Sequence, residues 1–140
     1  MVKRMYLNTS ILIRAVLPGE RGHREAREFL RVCCRVYRCV VSSVHRLERW
    51  KSYTKKLIDD LLRELDVEEI DVDLDEVVRE ASRYVVRHRL SPRKVIDVAH
   101  LIAAKKIGCR AIAAVDRFIK SRAKSFGLLY LNHYTGCIDP

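Results

Sequence analysis

The chain has 140 residues, 49% of them hydrophobic and 33% charged, and carries a formal net charge of +10 at pH 7. That length suits one domain with one core and is too short for two, and no apolar run approaches the ~18 residues of a membrane span. No charged start followed by an apolar stretch and a small-residue cleavage site is found either, so a cytoplasmic protein without a membrane association is expected.

In chain order, residues 3–7 read as a short strand. Thr9 or Ser10 is positioned to cap a helix over 10–17, which Pro18 and Gly19 end. Residues 23–35 form an amphipathic helix with Ala26, Phe29, Leu30 and Cys33 on one side. Residues 37–41 are a strand, and Ser42 caps a long helix over 43–65. Residues 67–72 read as a further short strand. Asp73 then opens a helix to about residue 89, with Glu76 three residues on in a capping-box-like pattern. Ser91 followed by Pro92 is a clean helix start, and that helix runs to residue 107, where Gly108 stops it. Residues 109–115 are an apolar strand, 117–126 a helix ended by Gly127, and 128–131 a last strand. Apolar strands alternating with helices imply a three-layer α/β/α fold around a mostly parallel five-stranded sheet covered on both faces.

Charge is unevenly spread. Residues 59–80 hold eleven acids against Arg63 and Arg79, a block of −9, which leaves the remainder at +19 from 26 basic and 7 acidic residues. A surface that basic attracts polyanions and speeds their encounter. The acidic block reads as helix caps and solvating charge, on a face away from nucleic acid. Arginine outnumbers lysine 19 to 9 and glutamine is absent, a composition that suggests a heat-adapted source. The five cysteines, Cys33, Cys34, Cys39, Cys109 and Cys137, form no CxxC pair and read as small buried apolar side chains. A Cys34–Cys39 or Cys33–Cys39 disulfide is the alternative.

Only seven acids lie outside the block. Glu20, Glu25 and Glu28 sit in or near an arginine-rich helix and read as ion-pair partners, and Asp139 is close to the C-terminus. Glu48, Asp97 and Asp116 remain. Open parallel sheets gather functional groups at the C-terminal ends of their strands. Asn8 follows the first strand, Glu48 follows the strand over 37–41, and Asp116 follows the strand over 109–115. Asp97 lies in a helix that is apolar nearly all the way round, where an unpaired carboxylate costs several kcal/mol in desolvation. It requires a metal ion or a cation, and an arginine is the simpler of the two. His100, one turn on, reads as a hydrogen-bonded structural histidine rather than a ligand. Carboxylates without thiolate or imidazole ligands suit hard ions such as Mg²⁺ or Mn²⁺. Such an ion beside a basic surface points to phosphodiester hydrolysis.

Taken together, these residues resemble the PIN domain: Asn8-Thr9-Ser10 after the first strand, Ser42 to Glu48 after the second, Asp97-Val98-Ala99-His100 in a helix, and Val115-Asp116 after the fourth strand. The resemblance runs from Tyr6 to about Leu131. It implies a five-stranded parallel sheet and an Mg²⁺- or Mn²⁺-dependent endoribonuclease. In that family many small members are VapC-type toxins held by an antitoxin partner, and homodimers are common. On this mapping Glu48, Asp97 and Asp116 are metal ligands, directly or through water, Ser10 hydrogen-bonds a ligand or the phosphate, and a basic residue near the cleft, Arg14 or Arg117, holds the RNA backbone. Arg46 and Arg49 flank Glu48 as possible acid partners. The family's first Asp is Asn8 here. Its amide oxygen coordinates but carries no charge and is no general base, so weaker metal binding and slower hydrolysis are expected. The alternative is a catalytically inactive PIN-fold module that binds RNA or protein. Trp50 and Tyr53 read as core residues, or as part of a dimer or antitoxin groove.

Overall fold

The structure, a computed structural model, describes residues 2–138, so Asp139 lies outside the described residues. Five strands form one sheet: β1 (Arg4–Leu7), β2 (Arg38–Ser42), β3 (Glu68–Ile70), β4 (Ala111–Ala113) and β5 (Leu129–Leu131). Their order is β3-β2-β1-β4-β5, and every pairing is parallel, which realises the expected α/β architecture. The central pairings set Met5 beside Cys39, and Tyr6 beside Ile112. The edge strand β3 carries exposed Glu68 and Glu69, charges that discourage edge-to-edge pairing.

The helices are α1 (Thr9–Val16), α2 (His23–Val36), α3 (Ser52–Glu64), α4 (Leu74–Arg87), α5 (Val95–Ile107) and α6 (Arg117–Arg122). Because strand side chains alternate with a period of two, each strand feeds both faces. Met5, Leu7, Cys39, Val41, Ala111 and Ala113 point into a core closed by α1, α2 and α3. Tyr6, Val40 and Ile112 point into a second core closed by α4, α5 and α6. Each fully buried Leu or Ile contributes roughly 1.5–3 kcal/mol of transfer free energy. The helix α5 is apolar around most of its circumference because the sheet, α4 and α6 all pack on it. It ends at Gly108, whose φ of 85° is the left-handed conformation that a side chain disfavours.

Several expectations are corrected. The helix expected over 43–65 is two elements, a 3-10 turn (Ser43–Leu47) and α3, with extended backbone at Glu48 and Lys51 between them. The reason lies in the two cores. Val44 and Leu47 pack into the second core, whereas Trp50, Leu57, Ile58 and Leu61 pack into the first. One straight helix cannot serve opposite faces of a sheet, so the chain crosses over at 48–51. The cap of α1 is Asn8 rather than Thr9 or Ser10. The strands expected over 67–72 and 109–115 pair only over Glu68–Ile70 and Ala111–Ala113. A 3-10 turn (Pro92–Lys94) precedes α5, and another (Ala123–Phe126) follows α6. Of the two aromatics, Trp50 packs against the first core and Tyr53 is 68% exposed.

The cysteines also differ from the buried-thiol reading. Cys34 pairs with Cys39, as the alternative had it, and Cys33 pairs with Cys137 across 104 residues. Cys109 alone is a free thiol; it is buried, and burial pushes it up to about 12. The acidic block does cap and solvate. Asp73 accepts from Glu76 N (3.1 Å) at the start of α4, Glu76 and Glu80 pair with Lys106, and Arg46 pairs with Glu69 and Asp71. No helix among the described residues is long and apolar enough to cross a membrane.

Candidate functional site at the carboxyl ends of the strands

The parallel sheet delivers Ser42, the last residue of β2, to the same edge as Asn8, Asp116 and Asn132, which lie one to three residues beyond β1, β4 and β5. Asn8 continues the ladder, its N–H donating to Ala113 O (2.9 Å). The Asn8 side-chain oxygen accepts from Ser10 N (3.0 Å) and from Ser10 Oγ (2.7 Å), which caps α1. Ser10 Oγ in turn accepts from Val115 N (3.0 Å). The hydroxyl expected to meet a ligand therefore ties the start of α1 to the end of β4, one residue before Asp116.

Glu48 leaves the 3-10 turn in an extended conformation and reaches inward. Its Oε1 accepts from Thr9 Oγ1 (2.9 Å) and lies 2.9 Å from His100 Nε2. His100 Nδ1 lies 2.6 Å from the Tyr6 hydroxyl, which lies 2.7 Å from Ser42 Oγ. The donors along this chain sort themselves. The Glu48 carboxylate only accepts, so His100 faces it with Nε2–H; Nδ1 then accepts from Tyr6, and Ser42, which also accepts from Val44 N (3.1 Å), donates to Tyr6. With this arrangement every donor in the Glu48–His100–Tyr6–Ser42 chain has an acceptor. Burial drives the Tyr6 hydroxyl far above its ordinary value, in keeping with a permanent donor. Burial also pushes the Glu48 carboxyl up, but hydrogen bonds from His100 and Thr9 outweigh it and hold Glu48 below the usual carboxylate range.

His45 packs edge-on to His100, with ring centroids 4.6 Å apart. Burial and the neighbouring His100 pull His45 down to about 3, so it is neutral. Its Nε2 donates to Leu7 O (2.8 Å) and its Nδ1 accepts from Ser42 N (3.3 Å). Ser42 O, 3.1 Å from the same Nδ1, is then an acceptor facing an acceptor and makes no bond to that nitrogen.

Asp97 and Asp116 form the charged part of the site. Asp116 is the N-cap of α6, its Oδ1 accepting from Ile119 N (2.9 Å), and its own N–H donates to the Tyr130 hydroxyl (3.1 Å). Asp97 lies in the first turn of α5. It has no ion pair among the described residues, so the arginine bridge that would have explained it away is not formed. Burial, and then the charge of Asp116, push the Asp97 carboxyl above its ordinary value. Among the described residues no three His, Cys, Asp or Glu converge tightly enough to share a metal ion. Two of the predicted carboxylates thus act on each other, while Glu48 is engaged by His100 and Thr9.

A cleft of about 390 Å³ opens beside Asp116, lined among others by Arg14, Arg117, Lys120, Tyr130 and Tyr134. Both basic residues that the resemblance named, Arg14 and Arg117, are in it; Arg46 instead pairs with Glu69.

Sequence reasoning missed Tyr6, His45 and Asn132. Tyr6 is hidden in an apolar strand and gives no signal. His45 stands three residues after the capping Ser42, a spacing that marks a side chain returning to the cap. Asn132 follows the last strand as Asn8 follows the first, a repetition that could have drawn attention to it.

No curated protein matches the chain in sequence. The PIN domain family does match, over residues 5–124, a span that begins in β1, ends just after α6 and includes Asn8, Glu48, Asp97 and Asp116. With the expected parallel sheet formed and a family match covering most of its length, the chain belongs to the PIN domain family.

Proposed function

We propose that this protein is a metal-dependent endoribonuclease in which Asp97 and Asp116 hold a hydrated Mg²⁺ or Mn²⁺. The observation that carries the reading is the Asp97 carboxylate, half-buried in an apolar helix, without an ion pair among the described residues and repelled by Asp116. Two carboxylates are an ordinary protein contribution to a Mg²⁺ site, since that ion keeps several waters. When bound, such an ion supplies an activated water and charge stabilisation for the leaving oxygen.

The chain's own residues prepare that chemistry. Asp116 is fixed by its cap to α6 and by Tyr130. Glu48 keeps its charge through His100 and Thr9, both of which hold Oε1, and its other oxygen would serve as a water-mediated ligand. Asn8 holds α1 rather than a proton, so it supplies no base. Slower hydrolysis than in a four-carboxylate site follows. Arg14 and Arg117 neutralise phosphate along the cleft.

A second reading has its own support. The Asn8 oxygen is committed to Ser10, and no three-residue metal group is assembled among the described residues. Those observations suit a catalytically inactive module that binds RNA or protein. The test is cleavage of an end-labelled single-stranded RNA with Mn²⁺ and with chelator. Chelator-sensitive cleavage supports the nuclease; binding without cleavage supports the module. The nuclease reading also carries a VapC-type toxin role, an antitoxin partner and a homodimer. Co-purification with a neighbouring gene's product and light scattering check these.

A further inference from the structure

Tyr134 stands in a turn after β5 and is 69% exposed, whereas Glu48, Asp97 and Asp116 are each partly buried. The turn is anchored at both ends. Asn132, 4% exposed, donates from Nδ2 to Ala114 O (3.0 Å), and its Oδ1 accepts from Tyr134 N (2.9 Å) and Thr135 N (3.2 Å). Beyond the turn, Cys137 is bonded to Cys33 in α2. The Tyr134 hydroxyl accepts from Arg14 (3.3 Å), and its ring rests on His133 with centroids 4.1 Å apart. A large aromatic has thus been ordered in solvent, at the rim of the cleft that contains Asp116. Arg14, Arg117 and Lys120 line the same cleft, and none has an ion pair among the described residues.

An ordered, exposed ring beside unneutralised cations matches one chemistry best. Bases that are not paired stack on aromatic faces, while the flanking phosphates are held by Arg and Lys. A duplex keeps its base faces covered and has no use for the ring. We infer that this cleft is a subsite for an unpaired nucleotide of single-stranded RNA, with Tyr134 as the stacking platform and Arg14, Arg117 and Lys120 holding the adjoining phosphates. The inference deepens the nuclease reading and rests on it for the choice of RNA. What it adds is Tyr134, a residue beyond the matched family span, as the ring that holds a base in the cleft that Asp116 also lines.

The test is equilibrium binding of a labelled, mixed-sequence RNA of about ten nucleotides, measured in chelator so that no strand is cut, against the same sequence as a duplex. Tyr134→Ala is expected to weaken single-strand binding roughly 5- to 100-fold, the range for losing one stacked base. Tyr134→Phe keeps the ring and is expected to bind within about twofold of the parent, which separates stacking from the Arg14 hydrogen bond. Lys120→Glu is expected to weaken binding and to lower its salt dependence. Equal binding by Tyr134→Ala and the parent, or equal binding of duplex and single strand, overturns the subsite. Tyr134-dependent binding by a protein that never cuts RNA in Mn²⁺ upholds the subsite and overturns the nuclease reading. Cleavage that Tyr134→Ala leaves unchanged, with binding also unchanged, overturns the subsite alone.

Discussion

His100 Nε2 sits 2.9 Å from Glu48 Oε1, and this contact joins the buried core to the charged edge of the sheet. Behind it stand Tyr6 and Ser42; in front of it stand Thr9 and the carboxylates. The histidine is fully buried and its Nδ1 is held by Tyr6 from within the core, so the orientation of Glu48 is set by groups that never meet solvent.

Tyr6→Phe tests that dependence. It removes the hydroxyl shared by His100 and Ser42, which leaves His100 Nδ1 without a partner and Ser42 Oγ with only its bond from Val44 N. A loss of about 1–3 kcal/mol is expected, read from the urea midpoint at unchanged m-value. An unchanged midpoint would show that the network does not hold the core.

His45 sets an acid limit on stability. Its folded value of about 3 lies below the ordinary 6.5, so the unfolded chain binds more protons between those values. Stability therefore rises with pH across that window and is lost as pH falls from 6.5 towards 3, with a contribution to the slope of up to ~1.4 kcal/mol per pH unit. Urea titrations at several pH values should show it. A His45→Gln variant should lose that component of the slope; an identical slope would assign acid sensitivity elsewhere.

The fold and the order of the site residues were legible because apolar strands, helix caps and isolated acids are local signals. Asp97 stood out because it is the lone charge within an apolar helix, and Asp116 because it ends an apolar strand. The break at 48–51 was not legible. Apolar residues at helical spacing continue through it, and only the sheet reveals that Val44 and Ile58 belong to opposite faces. The Cys33–Cys137 bond spans 104 residues, beyond any spacing rule, and Tyr134 follows the last strand in a stretch without periodicity.

The two disulfides should contribute unequally. In the chain-entropy treatment a loop of 104 residues is worth about 5 kcal/mol, and one of five residues about 2 kcal/mol. Cys137→Ser is thus expected to lower the thermal midpoint more than Cys39→Ser, and reductant should lower the parent's. Equal small shifts would mean that the long staple does not constrain the unfolded chain.

Asp97 gives a reading of metal binding that does not depend on activity. Its carboxyl is raised by burial and by Asp116, so the folded state disfavours its charge, and this cost is absent below the ordinary value of 3.8 and present at neutral pH. Asp97→Asn should therefore raise the metal-free thermal midpoint at pH 7. Mn²⁺ should raise the midpoint of the parent but not of Asp97→Asn, since a ligand stabilises only the state that binds it. A variant that still responds to Mn²⁺ would remove Asp97 from the site.

The central claim is that three carboxylates suffice for hydrolysis despite Asn8. It is tested most directly by cleavage of a labelled single-stranded RNA in Mn²⁺ by the parent, Asp97→Ala and Asn8→Asp, side by side. The expected result is slow cleavage by the parent, none by Asp97→Ala, and faster cleavage by Asn8→Asp. Contradiction would come from a parent that is inert while Asn8→Asp cuts, or from cleavage that survives Asp97→Ala.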